Sequence, residues 1–296
     1  MPHAHHASVE SVWISVALSF VAIVYLRQWL RVAWLVPHVV KGWRALSFFV
    51  GLLLVWVGLG SPLSHLDHDL LTVHMVQHLL LMTLAPPLIL LGAPLKLLPQ
   101  RPVQRQRLVE LIARPLRSAP TRRVGHMLLH PAAGWIGATA GLVVWHIPAV
   151  LVLGLRSEMW HGIEQASFLL TGLLFWWPVV EPSQNALKWP EWSILLYLFL
   201  ATLPCDILSG FLVFCDRVVY PVYLSSPQSF GLSALEDQQC AGALMWTCVT
   251  IVYLIAGAVF AARLLSPRWS PDYLILQSES QAIAVAHRGE QSMEAV

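Results

Sequence analysis

Seven stretches of predominantly apolar residues dominate this sequence, at 12–30, 43–60, 71–91, 127–147, 160–180, 192–214 and 240–264. Each is near the ~20 residues a helix needs to cross a bilayer. Inside hydrocarbon a segment must satisfy its own backbone amides, so these stretches predict helices. Composition agrees: hydrophobic residues make up 57% of the 296 and charged residues 11%, against roughly 25% charged in soluble domains. So few charges cannot cover a water-facing surface of this size. A soluble enzyme, a disordered chain and a disulfide scaffold are therefore excluded, and Cys205, Cys215, Cys240 and Cys248 form no disulfide framework. The expected fold is all-α, a polytopic membrane protein with a seven-helix transmembrane bundle over 12–265. A His-containing arm (1–11) precedes it and a polar tail (266–296) follows. The Pro86-Pro87 pair predicts a kink or break in the third span, because proline removes a helix hydrogen bond.

Orientation follows from the cations. With seven alternating spans, 16 of the 18 Lys and Arg fall on one side, and only Arg156 and Arg217 fall on the other. The N-terminus is therefore expected outside and the C-terminus in the cytoplasm. The first apolar stretch does not read as a cleaved signal peptide, since its positive charges follow it rather than precede it. The basic loop from Arg101 to Arg123 reads as positive-inside anchoring with contact to anionic lipid; docking on an acidic partner is the other reading.

Histidine is distributed unevenly. Nine of the 13 lie outside or in the outer half of spans: His3, His5, His6, His65, His68, His74, His78, His146 and His161. The densest segment runs from Ser64 through His65, Asp67, His68 and Asp69 to His74 and His78. On a helix His74 and His78 are one turn apart on a shared face, and two such imidazoles can grip a metal ion or a haem iron. Met75 and Met82 lie within about 100° of His74 on the same wheel. Imidazole with thioether suits copper, Cu(I) especially.

His146 closes the fourth span and His161 opens the fifth at the same level. Glu164 either orients His161 as an outer partner or is a carboxylate favoured by the helix dipole. Cys240 and Met245 begin the seventh span, and Cys, His and Met at one level would again suit Cu(I). Each feature has a plainer reading. A lone membrane His is usually a hydrogen-bonded packing residue, methionines fill cores, and Ser233 with Glu236 fits a helix capping box. Asp206, mid-span, is expensive there and should have a partner across the bundle.

These residues are arranged as in a known family. His74-Met-Val-Gln77-His78, Ala85-Pro-Pro87-Leu and Leu91-Gly92-Ala-Pro94 resemble the third-span motif of the CtaG-type cytochrome c oxidase assembly factors. Trp145-His146-Ile-Pro148 and Phe175-Trp176-Trp177-Pro178 resemble the ends of the fourth and fifth spans. Asp216-Arg217-Val-Val-Tyr220-Pro221 and the run from Leu235 to Trp246 resemble the sixth loop and seventh span. The resemblance covers roughly 60–265, with one departure: Gln165 stands where members often carry a second His, one turn after His161.

It implies a multi-pass protein of the bacterial plasma (inner) membrane that helps build a haem-copper oxidase by delivering copper. Its partners would be cytochrome c oxidase subunits, a periplasmic copper donor and the lipid bilayer. The candidate copper ligands are His65, His68, His74, Met75, His78, Met82, His146, His161, Cys240 and Met245. Two other readings stay open: a b-type membrane cytochrome, with His78 and His146 holding haem, and a copper permease, with the Met75–Met82 stripe and Asp206 as its path. No catalytic triad, phosphate loop or zinc-protease motif appears, so neither enzymatic catalysis nor nucleic-acid binding is expected.

Overall fold

The computed structural model describes residues 3–35, 41–61, 66–94, 127, 130–180, 190, 192–225 and 231–265, and holds no strand among them. Its helices are α1 (His3–Leu35), α2 (Gly42–Leu59), α3 (Leu71–Leu91), α4 (Pro131–Trp145), α5 (Pro148–Arg156), α6 (Glu158–Val180), α7 (Ser193–Phe214) and α8 (Ala234–Leu265). Six are long and apolar enough to cross a membrane, or seven if the bent pair α4–α5 counts as one span. The basic loop between α3 and α4, the tail and His65 lie outside the described residues.

Long-range contacts show that the helices alternate in direction. Asp237 at the start of α8 binds the start of α3, and His74 near the start of α3 faces Glu164 near the start of α6. The end of α4 meets α3 through His146 and Met75, and Trp56 near the end of α2 reaches Ser15 near the start of α1. One end of the bundle thus gathers the starts of α1, α3, α6 and α8 with the ends of α2 and α4. Most of the candidate ligands sit at this end.

The proline pair shapes α3 without ending it. Pro86 has no N–H for the carbonyl four residues earlier and its ring crowds that carbonyl. The helix widens into one π turn over Leu80–Leu84 and then resumes. The Met82 carbonyl instead accepts the Trp176 indole N–H at 3.2 Å. Gly172 of α6 sits against this widened turn, so close that a Cβ there would lie 2.7 Å from the Met82 carbonyl oxygen.

The fourth span closes where expected, and a short helix leaves it at a sharp angle. α4 has 15 residues, or about 22 Å at 1.5 Å per residue, and α5 leaves it at 81°. Pro148 is the cause, because it disfavours helical geometry at the residue before it. Ile147 is accordingly extended, with φ −67° and ψ 125°. The break stops α4 at His146 and folds α5 over the ligand-rich end.

The start of α8 serves two helices. Ser233 and Glu236 form the expected capping box, with Ser233 Oγ donating to Glu236 Oε2 at 2.8 Å and accepting from the Glu236 amide at 3.2 Å. Asp237, buried, caps a different helix. Its carboxylate accepts the Leu71 and Thr72 amides at 2.7 and 3.1 Å and the Thr72 hydroxyl at 2.6 Å. Unsatisfied N–H groups at a helix start need such acceptors. Asp237→Ala should cost the ~1–2 kcal/mol of a lost cap or more, read as a lower unfolding temperature in detergent. Asp237→Asn, which keeps one acceptor, should cost less. Equal stability of Asp237→Ala and the parent would show that α3 does not depend on this cap.

Candidate metal centre

The first turns of α3 set the geometry. Helical spacing stacks His74 above His78, with ring centroids 4.3 Å apart. Both face Glu164 of α6, whose Oε1 lies 3.5 Å from His74 Nε2 and 3.3 Å from His78 Nε2. His74 and Glu164 have no solvent exposure and His78 has 6%. Gly154 of α5 makes room for the carboxylate, since a Cβ there would lie 2.8 Å from Glu164 Oε2.

A second group adjoins the first. The loop before α3 brings Asp67 to His161 of α6, Oδ2 to Nε2 at 3.2 Å, and His161 Nδ1 lies 3.7 Å from Glu164 Oε2. Gln165 touches the same imidazole, Nε2 to Nε2, where a second His is often found in the resembling family. The ligand-type atoms of Asp67, His74 and His161 lie within 4.8 Å of one another, as do those of His74, His78 and Glu164. The two triads share His74.

Few of these atoms are hydrogen-bonded. Both ring nitrogens of His74 and of His78, both Glu164 oxygens, His161 Nδ1 and Asp67 Oδ1 are buried without a hydrogen-bond partner. Buried polar atoms are normally satisfied, and a cluster that is not calls for an explanation such as an ion. Its donors are imidazole and carboxylate, a set that suits a borderline divalent ion.

The sulfur ligands lie apart from it. Met75 points its sulfur at His146, Sδ to Nε2 at 3.2 Å, and Met82 and Met245 line a cavity beneath His78. Met75 thus faces His146 while the imidazoles of His74 and His78 face Glu164, because neighbours on a wheel about 100° apart face different neighbours in the bundle. Asp237, Ala241 and Met245 form the buried stripe of α8, and Cys240 lies off it, exposed. His68 is exposed, 3.7 Å from Asp67 Oδ1. Asp206 is half-buried and belongs to neither triad.

Two carboxylates carry more than their sequence context indicated. Glu164 stands at the hub of the imidazoles rather than behind His161 alone. Asp67 sits in the His/Asp run but carried no expected role; its place beside the histidines of that run was the available signal. Two tyrosines of the sixth loop hold the surrounding backbone: Tyr220 donates to the His146 carbonyl at 3.0 Å and Tyr223 to the Asp67 carbonyl at 2.9 Å. Burial raises both phenol pKa values well above the usual range, so both stay protonated donors.

The rings form a ladder from the surface inward. Centroids are 6.2 Å apart from His68 to His161, 6.0 Å from His161 to His74, 4.3 Å from His74 to His78 and 5.9 Å from His78 to His146.

Over residues 23–266 the chain matches the family profile described as cytochrome c oxidase caa3 assembly factor. It is 24% identical over 225 residues to uncharacterized proteins of Mycobacterium bovis and Mycobacterium tuberculosis, covering 69% of this chain and 32% of each relative. The chain thus spans about a third of the length of these curated relatives. No solved structure matches it.

Proposed function

The chain belongs to the cytochrome c oxidase caa3 assembly factor family, and from that membership we propose that it holds copper at the outer face of a bacterial plasma membrane for insertion into the oxidase. The observation that carries this reading is the set of buried, unsatisfied ligand atoms on His74, His78 and Glu164. The outer face is the reading that the cation distribution along the sequence supports, since 16 of the 18 Lys and Arg fall on the other side of seven alternating spans. Oxidase subunits are the recipients, and a periplasmic copper donor supplies the cargo.

Copper is handled here as cargo, without turnover. The neutral imidazoles offer lone pairs and the carboxylates supply compensating charge in a site closed to water. His68 and His161 with Asp67 form the entrance, and His74 links them to His78 and Glu164. A haem would need a slot for the porphyrin plane between His78 and His146. The cavity both rings line is about 40 Å³, room for a few water molecules, so the geometry favours an ion over haem.

His78→Ala tests the reading. The purified variant should bind copper at least about tenfold more weakly, at or beyond the effect of losing an outer-shell partner. Cells carrying it should accumulate oxidase protein deficient in copper and activity, while the factor itself still inserts. Excess copper should partly restore activity, since mass action offsets lost affinity. Cys240→Ser, at the exposed cysteine, should behave as the parent. Equal copper content in His78→Ala and the parent would make the cluster structural and end the copper reading.

A further inference from the structure

The imidazole ladder ends on a pocket of different chemistry. Below His78, between α3, α4, α6, α7 and α8, one cavity of about 40 Å³ is lined by Met75, Met82 and Met245, Cys205, and the imidazoles of His78 and His146. Three thioethers and a thiol share this space, and no carboxylate lines it. Met75, Met245, Cys205, His78 and His146 are all buried. Methionine alone would be gap filler, but the state of His146 argues otherwise.

His146 Nδ1 lies 2.7 Å from the Leu142 carbonyl oxygen. A carbonyl only accepts, so Nδ1 carries the proton. In the neutral ring Nε2 is then a bare lone pair, and it faces Met75 Sδ at 3.2 Å. A thioether is also an acceptor, so no hydrogen bond joins the two. Two lone pairs aimed together in a buried site are poorly placed against each other and well placed for a shared cation. Tyr220 donates to the His146 carbonyl at 3.0 Å and fixes that backbone, so the ring does not reach this position by drift of a loose helix end.

We propose that this cavity is a second metal site, selective for a soft monovalent ion of the Cu(I) class, held by Met75 and His146 and completed by sulfur from among Met82, Met245 and Cys205. It is separate from the imidazole–carboxylate cluster above it, which takes divalent ions. Thioether and thiol sulfur favour soft d10 ions, whereas carboxylate favours harder ones. His78 borders both sites. The proposal rests on the copper reading for the identity of its natural cargo, while the selectivity of the pocket rests on its own donors.

The test titrates the full chain, purified in detergent, with Ag(I) as a redox-inert soft probe and separately with Zn(II) as a borderline divalent probe. Met245→Leu keeps the side-chain volume nearly constant, so the fold is retained. It should weaken Ag(I) binding by tenfold or more and leave Zn(II) binding unchanged; the double variant Met245→Leu/Cys205→Ala should weaken it further. Glu164→Gln should do the reverse, losing Zn(II) and keeping Ag(I). X-ray absorption of the Ag(I)-loaded parent should show sulfur neighbours, and fewer in Met245→Leu. Ag(I) binding that ignores Met245→Leu and the double variant overturns the proposal, as does a loss of both ions in every variant. Loss of copper-dependent oxidase assembly as the function, with Ag(I) still bound through Met245, would instead end the proposed function and leave the second site standing.

Discussion

Glu164→Gln is expected to change stability in opposite directions in the metal-free and metal-loaded protein. Glu164 is wholly buried, and its two oxygens face three imidazoles at 3.3–3.7 Å without a hydrogen bond to any of them. Without metal the carboxylate is a buried charge that no hydrogen bond compensates, and such a charge is costly. Glutamine removes that charge at nearly the same volume, so the metal-free variant should melt at or above the metal-free parent. With metal the order inverts, because the parent gains the binding free energy of its ligand set and the variant loses the charged member. Affinity should fall by more than about 100-fold, the upper end of what outer-shell losses cost. The measurement is thermal unfolding in detergent, with chelator and then with saturating Cu(II). A purely structural Glu164 would make the variant less stable in both conditions, and that result would remove the carboxylate from the metal site.

The helices were easier to read from sequence than the ligand set, for physical reasons visible at particular residues. Apolar length alone locates the spans, since a bilayer imposes both length and helicity; the third was expected at 71–91 and is found at Leu71–Leu91. The fourth was expected to close at 147, before Pro148, and α4 closes at Trp145; the short helix α5 leaving it at 81° was not foreseen, because apolar length does not fix the angle after a break. His74 and His78 were legible as a pair because one helix fixes their spacing. Glu164 was legible only as a neighbour of His161, since its approach to α3 depends on how two helices cross. The separation of sulfur from carboxylate ligands was hidden for the same reason. A helical wheel says which residues share a face, but not whether that face meets α6 or α7. Asp237 shows the limit most plainly: a local capping pattern at Ser233 and Glu236 accounted for the acidic run, while its most buried member caps a helix 165 residues away.

That crossing of α3 and α6 makes the second large expectation a remote one. Gly172→Val should abolish metal binding, although the residue is eight positions from Glu164, about 12 Å along α6 at 1.5 Å per residue. A Cβ at Gly172 would lie 2.7 Å from the Met82 carbonyl oxygen, 2.9 Å from Met82 Cα and 2.9 Å from Pro86 Cγ. Backbone and a proline ring cannot turn aside as a flexible side chain would, so the helices themselves must separate. Small residues at membrane helix crossings exist to allow such approach. Separation would break the Trp176 bond to the Met82 carbonyl and carry Glu164 away from His74 and His78. The stability cost should reach or exceed the ~1–3 kcal/mol typical of overpacking. Gly257→Ala is the comparison: nothing lies within 4 Å of a Cβ there, so it should retain metal and gain up to about 1 kcal/mol from helix propensity. Copper content and unfolding temperature of both purified variants decide the matter. If Gly172→Val binds copper as the parent does, contact of α3 with α6 does not position the carboxylate, and the site must be assembled by the loop at Asp67 instead.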